Sequence, residues 1–222
     1  MRNNKIIKFG EDVEGYNIPV LNEREVRAAA GILFAIMFIA IMTAGLTDDF
    51  LLIKYSVTIF LTDILIRVLI NPRYSPTLIA GRLIVRNQVP EYVGAQQKKF
   101  AWIIGIVLAS VIFIHLVVLN AYSPITGFGC VICLIFLFCE TAFGICVGCK
   151  LYSLLYKEKA QYCPGEACSV KTKKEIQRTS KVQQIIALSF IAYIIILAFA
   201  FNDNFSKKPY DLFGLEKTEQ AK

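Results

Sequence analysis

The run Val26 to Leu46, VRAAAGILFAIMFIAIMTAGL, carries no charge beyond Arg27 at its edge and constrains the chain more than any other stretch. About twenty such residues in a helix cross a hydrocarbon layer about 30 Å thick. The feature recurs: apolar runs of similar length, separated by charged segments, begin near Phe50, Phe100, Cys130 and Val182. One water-soluble core does not produce that spacing, so the expected fold is all-α, a polytopic membrane bundle of four to five transmembrane helices. Hydrophobic residues make up 56% of the 222 positions, above the roughly 45–50% of soluble domains, and leave no separate soluble domain to be found. The divisions expected are a leader at 1–25, a four-helix membrane domain at 26–156, a Cys-containing basic loop at 157–181, a fifth transmembrane helix at 182–201 and a polar tail at 202–222.

The formal net charge of +7 does not point to nucleic acid, because the positive residues sit between the apolar runs and not in one aromatic-laced patch. It points to topology. The leader through Arg27 holds five Lys and Arg residues, the second connection holds Arg73, Arg82, Arg86, Lys98 and Lys99, and Lys150 to Lys181 holds eight, while the first and third connections hold none. That alternation is what the positive-inside rule predicts for a leader on the cytoplasmic side of the membrane. The leader's five acids and the late start of the first run argue against a cleaved signal peptide. Whether the fifth segment spans or re-enters, and hence the side of the tail, stays open.

Several polar residues fall inside or beside the apolar runs. In the second span, Phe50 to Ile70, Lys54 lies near the start and is expected to snorkel. Asp63 and Arg67 stand one turn apart, acid before base, as a structural pair or as a substrate or proton site. Asn71 and Pro72 end that helix. The piece Pro76 to Arg86 suits a short interfacial helix, and Arg73, Arg82 and Arg86 are candidates to hold an anionic substrate or lipid phosphate. In the third span, Trp102 is expected as an interfacial anchor, and the single His115 must face something polar.

The fourth run, Cys130 to Lys150, carries five cysteines and Glu140. A carboxyl in such a run is a functional-site candidate. On one continuous helix Cys139, Cys146 and Cys149 share one face, and Cys130, Cys133 and Glu140 another. The CxxC pairs then lie about 20 Å apart, which excludes a shared zinc or iron–sulfur site. A metal on Cys146, Cys149, Cys163 and Cys168 matches no standard spacing and is not favoured, so no cofactor is expected. In a reducing cytoplasm the resting state expected for these pairs is free thiol, with Cys163 and Cys168 placed to exchange with a partner.

The run NPRYSPT at Asn71 to Thr77, the preceding Asp63 and Arg67, and ETAFGICVGCKLY at Glu140 to Tyr152 resemble the bacterial membrane-protein family of domain of unknown function 4395. The resemblance covers about Asn22 to Tyr156. It implies a compact bundle, commonly of four spans, and one site shared by Asp63, Arg67, Arg73, Glu140, Cys146 and Cys149. It brings no activity. With one histidine, no serine elbow and no phosphate-binding loop, an enzyme is not assigned. The leading expectation is thiol-based redox or sulfur handling at the cytoplasmic face, with Cys146 and Cys149 as the working pair, Glu140 beside them, and a thioredoxin-like or sulfur-carrier partner. The alternatives are a small transporter or channel for a metal or anion, lined by Glu140 and His115, and a non-catalytic membrane scaffold.

Overall fold

A computed structural model of the chain describes residues 9–13, 16, 18–156 and 179–212. Strand β1 (Val20–Asn22) runs straight into helix α1 (Glu23–Thr47), and strand β2 (Tyr92–Gly94) runs straight into α4 (Ala95–Phe113). The two strands pair antiparallel, with Val20 opposite Gly94 and Asn22 opposite Tyr92. This ribbon sets the first turns of α1 and α4 side by side. Asn22 caps α1 by accepting from the Arg24 amide at 3.3 Å, and Glu23 and Glu25 place negative charge where the helix dipole favours it.

Helix α1 turns back through Asp48, in the left-handed conformation, into α2 (Leu51–Leu65), which a π-helical turn at Ile66–Ile70 extends. Extended backbone at Asn71, imposed by the proline that follows and opens a 3-10 turn, stops it. Helix α3 (Pro76–Ile84), capped by Ser75, then packs across α1. The approach is so close that a Cβ on Gly81 would lie 2.6 Å from the Glu25 carbonyl oxygen, which is why glycine stands there. Helix α4 ends in a π turn at Ile114–Val118, and β3 (Ala121–Tyr122) leads to α5 (Pro124–Phe138), opened by a capping box of Ser123 and Thr126.

The fourth run is not one continuous helix. Helix α5 passes into a π turn at Cys139–Phe143, Gly144 adopts a left-handed φ of 63°, and α6 (Val147–Tyr156) starts afresh. The shared face expected of Cys139, Cys146 and Cys149 therefore does not exist, because the break rotates the second CxxC away from the axis of α5. Helix α7 (Lys181–Phe205) lies along α2 and α3. It starts beside the 3-10 turn Pro72–Tyr74, where Gln183 Nε2 donates to the Arg73 carbonyl at 3.0 Å. It finishes at the opposite end of the bundle, where β4 (Tyr210–Asp211) pairs parallel with β3. The fifth segment thus traverses the bundle and does not re-enter.

The interior is made of Ala29, Leu33, Met37 and Ala40 from α1, Val57 and Phe60 from α2, Ala109 and Ile112 from α4, and Cys130 and Cys133 from α5. Small residues on α1 let its neighbours approach, as membrane helices require. The outside is also apolar: Phe38, Ile39, Val107, Phe128, Leu188 and Phe199 are exposed. Four helices, Glu23–Thr47, Ala95–Val118, Pro124–Phe143 and Lys181–Phe205, are long and apolar enough to cross a membrane. The chain is a multi-pass, all-α membrane bundle. The stretch from Leu51 to Ile70 runs about 30 Å beside them at 1.5 Å per residue, and its charges point inward. Lys54 does not snorkel: it is 1% exposed, and its ammonium donates to Asn120 Oδ1 at 2.7 Å and the Lys207 carbonyl at 2.6 Å. Those partners, Asn120 just ahead of β3 and Lys207 just past α7, replace water. Trp102 is likewise no interfacial anchor, being buried under Arg67, with Cζ 5.1 Å from its ring centroid, and against Phe9.

Candidate functional site

The ribbon that aligns α1 and α4 puts Glu23, the first residue of α1, next to Lys98 in the first turn of α4. The Lys98 ammonium is 2.8 Å from Glu23 Oε2, and it also donates to Glu140 Oε1 from the π turn of α5. Lys98 is 1% exposed and Glu23 fully buried, so each charge depends on the other for what water no longer supplies. Arg27, one turn beyond Glu23, meets Glu23 Oε1 at 3.3 Å and Glu91 Oε1 at 3.8 Å. Two carboxylates from α1 and α5, one ammonium from α4 and one guanidinium form a chain of charge from the surface to the interior.

The break in the fourth run seats this chain. A Cβ at Gly144 would fall on the Arg27 guanidinium, so glycine is needed there for space as well as for its positive φ. Below it, Cys146 and Cys149 open α6 and are joined as a disulfide with Cα atoms 5.1 Å apart. Free thiol was the expectation for this pair; the short helical turn of CxxC instead brings the two sulfurs together, and the structure closes them. The Cys149 amide donates to Cys146 Sγ at 3.2 Å. Both cysteines are buried. Gly148 presses on Ala101 of α4 with no room for a Cβ, which holds α6 against that helix.

These elements enclose a cavity of about 80 Å³ lined by Arg67, Trp102, Glu140, Cys133 and Cys146 among apolar walls. Arg67 reaches it from a closed polar network behind. Its Nε donates to Asp63 Oδ2 at 2.8 Å and Ser75 Oγ at 3.2 Å, and its Nη2 to Thr77 Oγ1 at 2.5 Å. Asp63 also accepts from Ser75 Oγ at 2.7 Å, Thr77 Oγ1 at 2.7 Å and the Thr77 amide at 3.0 Å. Asp63 is a fully satisfied carboxylate that positions Arg67 and the NPRYSPT turn.

The arginines of the second connection go elsewhere. Arg82 is 5% exposed and held by Glu25 at 3.0 Å and Glu11 at 3.6 Å, so two acids already fill the role proposed for an anion. Arg73 lines a small cleft with Arg82, Glu11 and Glu25, and Arg86 is exposed on the surface. Burial, then Glu25 and Glu11, push the nearby Tyr92 hydroxyl up to about 12. Of the six residues the family resemblance grouped together, Arg67, Glu140 and Cys146 meet in the cavity, Cys149 and Asp63 stand directly behind Cys146 and Arg67, and Arg73 is apart. Cys163 and Cys168 lie outside the described residues.

His115 bonds Val111 of its own helix at 2.9 Å. It sits seventeen positions along the helix from Lys98, about 25 Å from the partner of Glu140, and does not line the cavity that Glu140 lines. Sequence reasoning missed Lys98, Glu23 and Arg27 as site residues. Glu23 and Arg27 carried a signal, acid and base at four-residue spacing, but the contribution of Lys98 depends on the β1–β2 register, which periodicity does not reveal. Among the described residues no group of three His, Cys, Asp or Glu side chains is arranged to hold a metal ion.

No curated protein and no solved structure matches the chain. A family model described as a domain of unknown function matches residues 21–157, the stretch from β1 through α6 that builds the ribbon, the charge chain and the cavity. The chain belongs to that family, DUF4395.

Proposed function

We propose that this chain is a thiol–disulfide protein of the bacterial inner membrane, in which Cys146 and Cys149 cycle between disulfide and dithiol at the end of the bundle that carries the leader. The observation that carries the reading is the closed pair at the start of α6, with Cys146 facing an internal cavity beside Glu140. Reduction proceeds by thiolate attack: a partner thiolate bonds to Cys149 sulfur, the Cys146–Cys149 bond breaks, and Cys146 leaves as thiolate. A second partner thiol then attacks the mixed disulfide and releases Cys149, so that two electrons and two protons enter the pair. Cys146 suits the leaving role because its sulfur already accepts the Cys149 amide at the head of a helix, an environment that stabilises thiolate.

The Lys and Arg count supports a cytoplasmic position for this end, where a thioredoxin-like or sulfur-carrying partner meets Cys163 and Cys168 and passes electrons inward. Thiol labelling in inverted membrane vesicles tests the reading. Cys146 and Cys149 become labelled only after mild reduction, and lose that response in Cys146→Ala. A pair that takes no label under any reducing condition, in a protein whose phenotype survives both alanine replacements, would leave a non-catalytic scaffold.

A further inference from the structure

The cavity beside Cys146 has a composition that selects its ligand. Arg67 is 3% exposed, yet only Nε and Nη2 are committed to Asp63, Ser75 and Thr77; Nη1 makes no hydrogen bond with the described residues. Glu140 gives Oε1 to Lys98, and Oε2 makes no hydrogen bond there either. The cavity therefore offers one buried donor and one partly exposed acceptor, of opposite charge, between apolar walls and the ring of Trp102. An anion meets the Glu140 carboxylate and a cation meets Arg67, so a neutral molecule fits best. The size suits a single ring: at 10–15 Å³ per water, 80 Å³ holds about six waters.

The flank of the cavity formed by α4 and α5 borders the apolar exterior. Ala101, Ile104, Gly105 and Leu108 of α4, and Phe136 and Leu137 of α5, line the cavity and are half-buried, with their other side on the apolar exterior. Cys146 and Cys149 are only 5% and 6% exposed. A soluble protein does not reach these sulfurs through that flank; a membrane-dissolved molecule does.

We infer that the cavity binds the head group of a lipid-soluble quinone, entering between α4 and α5, and that this carrier exchanges electrons with the Cys146–Cys149 pair. The inference rests on the redox role proposed above and names its second substrate. In the oxidising direction the two thiols give two electrons and two protons to the quinone, the S–S bond forms, and hydroquinone leaves. The site's polar pair matches both states, since Arg67 donates to a carbonyl oxygen and Glu140 accepts from the hydroxyl that replaces the other. Lys98, Glu23, Arg27 and Glu91 form a continuous chain of ion pairs from Glu140 to the surface, which holds the Glu140 carboxylate in place beside the cavity.

Trp102 is the only tryptophan in the chain and lines this cavity, so its fluorescence reports occupancy. The full chain in lipid nanodiscs is titrated with a short-tailed ubiquinone analogue, and hydroquinone is followed by ultraviolet absorbance after reduction with dithiothreitol and its removal. Expected are saturable quenching, about one hydroquinone per reduced pair, and binding weakened about tenfold in Leu108→Phe, which crowds the half-buried rim. Ala30→Leu, filling the inner wall, serves as the second variant. Cys146→Ser/Cys149→Ser loses the hydroquinone. Quenching that never saturates and is equal in wild type and both crowded variants overturns the inference, even where dithiothreitol opens and air closes the pair. A pair that dithiothreitol cannot open overturns the redox role instead, while saturable quenching would still establish the site.

Discussion

Replacing Lys98 by methionine removes the one ammonium between two carboxylates, and its consequence can be worked out from the geometry. Glu23 is fully buried and keeps only Arg27, at 3.3 Å from its other oxygen, while Glu140 loses its partner altogether. Removing one member of a buried pair destabilises by about 3–5 kcal/mol, because a charge is left without compensation. For a chain of this size, at about 2–4 °C per kcal/mol, the melting midpoint should fall by about 6–20 °C. The assay is thermal unfolding of purified protein in nanodiscs, with Lys99→Met alongside. Lys99 lies 5.3 Å from the Phe9 ring centroid, a contact worth about 0.5–1 kcal/mol at an accessible position, and its loss should shift the midpoint little. In Lys98→Met/Glu140→Gln the stranded carboxylate is gone and Glu23 retains Arg27, so much of the lost stability returns. If Lys98→Met melts with the wild type, or if the double variant loses the sum of the two single effects, the buried triad is not a coupled unit and the argument fails.

Two further outcomes follow from close approaches in the bundle. Gly81→Ala drives a Cβ to 2.6 Å from the Glu25 carbonyl and should destabilise by about 1–3 kcal/mol through overpacking of α3 on α1, whereas Gly45→Ala, with nothing within 4 Å of the new Cβ, should be neutral or stabilise by about 0.5–1 kcal/mol; paired thermal melts decide. Lys54→Met leaves Asn120 and the Lys207 carbonyl without their shared donor. It should loosen the end of α7, read as faster amide hydrogen exchange at Tyr210 and Leu212, whose amides bond Asn120 and Tyr122, and unchanged exchange there would refute that tether.

Long apolar runs made the membrane bundle legible from the sequence, because lipid demands helices of a fixed length and a single run states it without tertiary information. The closed Asp63–Arg67 pair was legible for a similar reason: both residues lie on one helix at a spacing that places them on one face. What periodicity cannot convey is a change of backbone state. Gly144 looks like any glycine in an apolar run, and only the Arg27 guanidinium behind it shows that the helix must stop there. The rules that send Lys54 and Trp102 to the interface assume that each helix faces lipid or water at that level. Lys207 and Asn120 from other parts of the chain replaced water for one, and Arg67 and Phe9 covered the other. Lys98 was invisible as a site residue because its two carboxylates come from positions 23 and 140.

The short β1–β2 ribbon has a consequence for how the sequence can vary. Each strand continues without a spacer into a helix whose opening turn contributes one half of the Glu23–Lys98 contact. A slip of one residue along a strand moves everything downstream by about 3.3 Å, more than the 2.8 Å that separates the two charges. Members of the family should therefore lengthen or shorten freely between positions 85 and 90, yet admit neither insertion nor deletion from 20 to 23 or from 92 to 98, whatever amino acids occupy the strands themselves.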